Sequence, residues 1–334
     1  MQALFLDVRE QFVRTDDGWS LRLRRTVSPA HLPKSAAHQL LIVPGYGMNS
    51  FIFSYHPRGT SLERFLAESG FEVWTMDLRG QGESRPYQRK AGALSLESYA
   101  LRDVPAAIDA VLARTAADKL TLIGCSLGGS IAYAYLALRG TERVDALVSM
   151  GAPLRWAEIH PLVRAVFSSP VLAGSVRLSN TRRLMRSLMP VLVRAPALLS
   201  FYMNPSTIDL SCAHELTRTV EDPHPAINRD IAVWLKRRDL EIQGVNITEA
   251  LRGVKLPLMV VLSNKDGIVP ERTALTVLDT WGSDDIEVLR VGDDRNWYAH
   301  ANLFVADDAP RLVFDPLVRW LRAAQSRSED QNRP

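Results

Sequence analysis

Leu120-Thr121-Leu122-Ile123-Gly124-Cys125-Ser126-Leu127-Gly128-Gly129-Ser130-Ile131-Ala132-Tyr133-Ala134 is the stretch on which the reading of this chain turns. The apolar run before Gly124 reads as a strand, and the residues from Gly129 onward read as a helix. Between them is a Gly-x-Ser-x-Gly pattern at a strand-to-helix turn. In that setting the serine sits on a strained backbone, with its hydroxyl exposed past the strand end. Small residues two places before and after it let strand and helix pass closely. A Gly-rich turn in any parallel sheet could carry the same five residues, so the surrounding chain has to decide.

Upstream, Gln39-Leu40-Leu41-Ile42-Val43 is an apolar run suited to a strand buried on both faces, and it leads into Pro44-Gly45-Tyr46-Gly47. Residues 61–69 have helical periodicity and end at Gly70. Residues 71–76 read as a strand that enters Asp77-Leu78-Arg79-Gly80-Gln81-Gly82-Glu83-Ser84. Residues 96–114 read as one long amphipathic helix with a kink at Pro105, and its Asp103 and Asp109 read as solvated or structural. Downstream, residues 144–150 form a further strand. Strands and helices therefore alternate from 39 to 153, the pattern of a parallel sheet covered on both faces. Before them, residues 12–15 and 19–24 read as a hairpin turned by Asp16-Asp17-Gly18, and 28–38 as a loop.

The alternation breaks over 154–242. Prolines cut that part into what reads as short helices, and its arginines recur among apolar residues. They read as a solvated face rather than an anion-binding patch. Alternation resumes with a strand at 256–263, a helix at 271–280, a strand at 286–291 and a closing helix from about Pro310 to Ala323. The expected division is a core of 1–153 and 243–324, an insert of 154–242 and a disordered polar tail of 325–334.

Bulk properties exclude several classes. A net charge of +3 over 334 residues gives no concentrated basic face for nucleic acid. Two cysteines, Cys125 and Cys212, have no metal-ligand spacing and provide no disulfide framework, which suits a reducing, cytoplasmic setting. No secretory signal is visible in residues 1–10, and the most apolar stretch, 188–203, is broken by Pro190, Arg194 and Pro196. No metal or cofactor is expected, and the oligomeric state is left open.

A serine hydroxyl needs a base to take its proton, and the base needs an acid to orient it. Ser126, Asp266 and His300 each follow a predicted strand, on the edge where doubly wound sheets gather their ligands. Asp284, Asp285, Asp293 and Asp294 read as turn residues around the last strand. The other six histidines all precede residue 256. Ser126 is therefore the candidate nucleophile, His300 the base and Asp266 its partner. The backbone N–H groups of Leu127 and Tyr46 are the candidate oxyanion donors.

With its Gly-Cys-Ser-Leu-Gly-Gly turn, its Asp-Leu-Arg-Gly-Gln-Gly-Glu-Ser loop and a late His-Ala-Asn-Leu-Phe, the chain resembles the α/β-hydrolase superfamily everywhere except 154–242. Pro44-Gly45 replaces the family's usual His-Gly at the oxyanion strand. The resemblance implies an eight-stranded, mostly parallel α/β sheet with an antiparallel second strand. It also implies a helical cap over 154–242 and cofactor-free hydrolysis of a small-molecule carboxylic ester, with a hydrophobic acyl or alcohol group suggested by the apolar insert. Acyl transfer by the same residues, and a non-enzymatic ligand-binding role, are the competing functions. Cys125 stands one place too early to be the nucleophile.

Overall fold

The computed structural model describes residues 6–31 and 38–331. Its main sheet contains β1 (Asp7–Arg14), β2 (Trp19–Val27), β3 (Gln39–Val43), β4 (Glu72–Met76), β5 (Leu120–Cys125), β6 (Val144–Met150), β7 (Leu258–Ser263) and β8 (Ile286–Val291). Their spatial order is β1-β2-β4-β3-β5-β6-β7-β8, and the two-residue strand Arg85–Pro86 adds to β2. β2 runs antiparallel to both β1 and β4, and all pairs from β4 to β8 are parallel. The expected mixed sheet and its N-terminal hairpin are thus present. The hairpin strands are longer than Phe12–Thr15 and Trp19–Arg24 suggested, because β2 continues to Val27 to pair with β4. The predicted loop at 28–38 falls largely outside the described residues.

Side-chain alternation splits the central strands between two apolar layers. Leu41, Val43, Leu122 and Leu147 point to the side of α2 (Val104–Thr115) and α3 (Leu127–Arg139). Leu40, Ile42, Ile123 and Val148 point to the side of α1 (Leu62–Glu68) and the C-terminal helix. All eight of these side chains are fully buried. Each contributes roughly 1.5–3 kcal/mol, which is why these strands read as unbroken apolar runs.

Residues 154–242 contain α4 (Pro161–Val166), α5 (Pro170–Ser175), α6 (Thr181–Arg194) and α7 (Pro225–Arg237), with 3-10 turns and the one-turn helix Ala213–Leu216 between α6 and α7. Three prolines start helices here rather than breaking them. Pro161, Pro170 and Pro225 each occupy a first helical position behind His160, Ser169 or His224, whose side chain accepts a first-turn N–H. Pro190 differs from its reading as a breaker and lies inside α6.

Two other expectations are corrected. The single helix predicted over 96–114 is interrupted by a π turn at Tyr99–Asp103, directly before Pro105. Pro105 has no N–H to give, and the wider turn lets the helix restart around it. The stretch from 325 to 331 is helical rather than disordered, being the end of α8 (Asp315–Gln331).

Candidate active site

The register of the sheet brings the site together before any side chain is considered. Val43 pairs with Gly124, Gly124 with Ser149 and Cys125 with Met150. The ends of β3, β5 and β6 therefore lie level, and the residues that follow them, Pro44, Ser126 and Gly151, crowd one edge. Ser126 turns there with φ 54° and ψ −125°, a conformation that L residues avoid. Its N–H donates to Met150 O at 2.8 Å. The turn is so tight that a Cβ on Gly128 would stand 2.2 Å from Val43 O, and one on Gly124 would stand 2.4 Å from Gly129 Cα. These close approaches are the physical reason for the glycine spacing around the serine.

His300 and Asp266 come from separate loops and meet. His300 Nδ1 lies 2.6 Å from Asp266 Oδ2, both side chains almost fully buried. Asp266 Oδ1 accepts the N–H groups of Ile268 and Val269, each at 2.8 Å. Both carboxylate oxygens thus have fixed partners. With the carboxylate as acceptor, the imidazole carries its proton on Nδ1 and leaves Nε2 free. The His300 ring packs against Gly151, where a Cβ would be 3.1 Å from Cε1. Among the described residues Ser126 Oγ has no hydrogen-bond partner. Serine and histidine are neighbours through Met150 and Gly151 rather than through a direct bond in this state, a looseness common before a substrate binds. Of the rival acids, Asp293 is spent on its own turn, accepting from the N–H groups of Arg295 and Asn296.

Tyr46 and Leu127 both face the cavity that Ser126 opens into. Among the described residues neither backbone N–H has a partner. The Tyr46 hydroxyl donates to Asn228 Oδ1 on α7 at 2.6 Å, and burial pushes its pKa well up, so it stays neutral. The Glu221 N–H donates to Gly47 O at 2.8 Å, a second tie between this loop and the insert. Cys125 is buried beneath the turn, and burial raises its thiol far above the ordinary range. A thiol held protonated and out of reach of the cavity is a packing residue.

The cavity has a volume of about 360 Å³. Its walls are apolar: Trp156, Phe167, Phe201 and Trp234 among the aromatics, with Val163, Ile231 and Val269 between them. Most of these come from 154–242. The sequence did not mark them out, because an aromatic in a short helix looks the same whether it faces a core or a pocket. Also unanticipated was the bracing of the His300 loop. Asn302 is fully buried; its Oδ1 accepts from the N–H groups of Asn204 and Ala299, at 2.6 and 3.0 Å. Tyr202 stacks obliquely on His300 with ring centres 6.0 Å apart, and its burial pushes its pKa up to about 12.

The Asp77–Ser84 loop supports the site without touching the cavity. Asp77 accepts from the N–H groups of Ser50 and Glu83, and a Cβ on Gly82 would collide with its carboxylate at 2.0 Å. Arg79 is fully buried, paired with Asp103 at 2.7 Å and Asp17 at 2.6 Å. Asp103 is therefore structural, as expected, and Asp109 pairs with Arg143 at the surface. Gln81 Nε2 donates to Gly45 O at 3.4 Å, which links this loop to the one carrying Tyr46.

Residues 39–297 match the family described as alpha/beta hydrolase fold. The chain belongs to that family. Among curated relatives of this alpha/beta hydrolase, a probable lipase of Schizosaccharomyces pombe is 33% identical over 147 residues, covering 41% of this chain and 32% of that protein. Lipase 1 of Drosophila melanogaster is 30% identical over 178 residues, 49% of this chain and 39% of that one. The matches thus span between about a third and two fifths of the length of these relatives. Among solved structures, an esterase from Exiguobacterium antarcticum aligns with a TM-score of 0.60 at 18% identity, over 94% of this chain and 100% of that one. A bromoperoxidase from Bacillus anthracis aligns with a TM-score of 0.62 at 14% identity, over 94% and 100%. At such identities these likenesses establish the fold, and the chemistry has to be argued from the site. Among the described residues no helix is long and apolar enough to cross a membrane, and no group of three or more His, Cys, Asp or Glu is placed to hold a metal.

Proposed function

We propose that this alpha/beta hydrolase cleaves carboxylic esters through an acyl-enzyme on Ser126. The observation that carries the reading is the placement of Ser126, strained at φ 54°, at the floor of an apolar cavity beside the buried His300–Asp266 pair. Ser126 Oγ attacks the ester carbonyl carbon and passes its proton to His300 Nε2. The carbonyl oxygen becomes an oxyanion, for which the unpartnered N–H groups of Tyr46 and Leu127 are the donors. Collapse breaks the bond to the alcohol, which leaves with the proton from His300. Water, deprotonated by His300, then attacks the acyl carbon and releases the acid and Ser126. Asp266 holds the imidazole tautomer throughout. Residues 154–242 serve as a cap over the cavity, and their aromatic walls favour an apolar acyl or alcohol group.

The test is turnover of p-nitrophenyl esters of graded chain length, together with labelling by a fluorophosphonate. Turnover that Ser126→Ala abolishes, with the label on Ser126, is expected. Failure of both turnover and labelling at every chain length would overturn the reading.

A further inference from the structure

The surface of the insert departs from what its sequence suggested. Of the fifteen large apolar side chains exposed among the described residues, ten lie between Leu162 and Leu198. The segment 161–200 also contains six arginines and no aspartate or glutamate. Exposed arginines were anticipated; exposed leucines and valines between them were not. In α6 the burial is divided by face. Met189 is buried, whereas Leu184, Leu188 and Val191, which share one face at i, i+4 and i+7, are 57%, 42% and 58% exposed. Among the described residues Arg164, Arg177, Arg183, Arg186 and Arg194 form no ion pair. A water-facing apolar stripe bordered by Arg183 and Arg194, which form no ion pair among the described residues, is a poor solvated face and a good fit to one kind of partner.

We infer that the 161–200 face docks on an anionic lipid bilayer, with the α6 stripe entering the headgroup–acyl boundary and the flanking arginines on the lipid phosphates. Both halves of the pattern are needed to choose this partner. Nucleic acid or an acidic protein would use the charge but leave the leucines and valines unpaired. A second copy of this chain would cover the apolar stripe but bring like charges together. A bilayer with anionic headgroups satisfies both at once. Leu162 and Val166 connect the face to the site: they line the Ser126 cavity and are also 53% and 68% exposed. Resting on the ester-hydrolase reading, this continuity makes the substrate class an ester-containing amphiphile drawn from the membrane, its apolar chain passing Leu162 and Val166 toward Ser126.

The experiment is flotation of the full chain with vesicles of phosphatidylcholine, with and without phosphatidylglycerol, beside assays on a short water-soluble ester. Binding to the anionic vesicles that exceeds binding to neutral ones at least tenfold, and weakens with added salt, is expected. Arg183→Gln with Arg194→Gln is expected to weaken it roughly thirtyfold. Leu184→Ser with Leu188→Ser is expected to abolish insertion while Tm and soluble-ester turnover stay unchanged. Ser126→Ala is expected to float like the parent, so the docking is read independently of catalysis. No flotation, equal flotation on both vesicle types, or a dimer that buries α6 and excludes vesicles would each overturn the inference. A docked chain without turnover on any ester would instead remove the ester-hydrolase reading and leave the docking standing.

Discussion

Asp266 presents both carboxylate oxygens to fixed partners, Oδ2 to His300 Nδ1 at 2.6 Å and Oδ1 to the N–H groups of Ile268 and Val269 at 2.8 Å. Asp266→Asn separates charge from shape. The amide oxygen must stay on the two N–H groups, so the NH₂ faces His300 Nδ1, which then has to accept. The imidazole proton moves to Nε2, the nitrogen assigned to Ser126. A fall in kcat/KM of roughly 10³ to 10⁴ with nearly unchanged thermal stability is expected in ester assays and thermal melts.

Ser126 offers a test in which stability and activity move oppositely. Glycine tolerates its φ of 54° without the cost borne by any residue with a Cβ. Ser126→Gly should therefore raise stability by about 1 kcal/mol in denaturant titrations while eliminating turnover. Destabilisation by the glycine would show that the turn is unstrained.

The glycines of the Ser126 turn should differ sharply from a glycine in open space. Gly128→Ala puts a methyl 2.2 Å from Val43 O, a backbone atom with nowhere to go, and is expected to cost roughly 3 kcal/mol or more. Gly253→Ala meets nothing within 4 Å and is expected to be neutral to within about 0.5 kcal/mol. Chemical denaturation of the two variants side by side is the measurement.

His56 should make stability fall in acid. Its Nε2 donates to Ala306 O at 2.9 Å and its Nδ1 accepts the Arg58 N–H at 3.0 Å, an arrangement only the neutral ring can make. Burial holds its pKa below the ordinary 6.5. In the unfolded chain the ring takes up a proton first, so its contribution is complete above pH 6.5 and is lost as pH falls through the lower folded-state value. His56→Gln should flatten this part of the Tm–pH profile. A variant whose Tm falls with pH as steeply as the parent's would exclude His56 as the cause.

The bond from Tyr46 to Asn228 joins the loop after β3 to the insert at 2.6 Å. Tyr46→Phe leaves a buried amide oxygen unsatisfied and is expected to cost about 1–2 kcal/mol. With Asn228→Leu in place, the further cost of Tyr46→Phe should be smaller, because the orphaned group is gone. A double-mutant cycle by denaturation measures that coupling.

The core was legible because its determinants are local. β3, β5 and β6 are apolar runs ending in glycine-marked turns, and the two carboxyl-edge loops each carry one chemically distinctive residue. The pairing of His300 with Asp266 followed from those loops sharing one sheet edge. The π turn before Pro105 was hidden, because a one-residue widening leaves the apolar periodicity almost unchanged. The insert was hidden for another reason. Its apolar residues divide among core, cavity wall and solvent, and residue type alone does not distinguish these. The role of Asn204 and Asn302 in bracing the His300 loop depends on contacts 98 residues apart, which no local pattern encodes.

Met150 and Gly151 have a consequence for how the site withstands thermal motion. One supplies the carbonyl that fixes the serine turn, and the other supplies the bare backbone against which the histidine ring rests. Ser126 and His300 are thus gauged from a common datum at the end of a single strand. A shift of this strand end would move both together, because their mutual placement is referred to two adjacent peptide units.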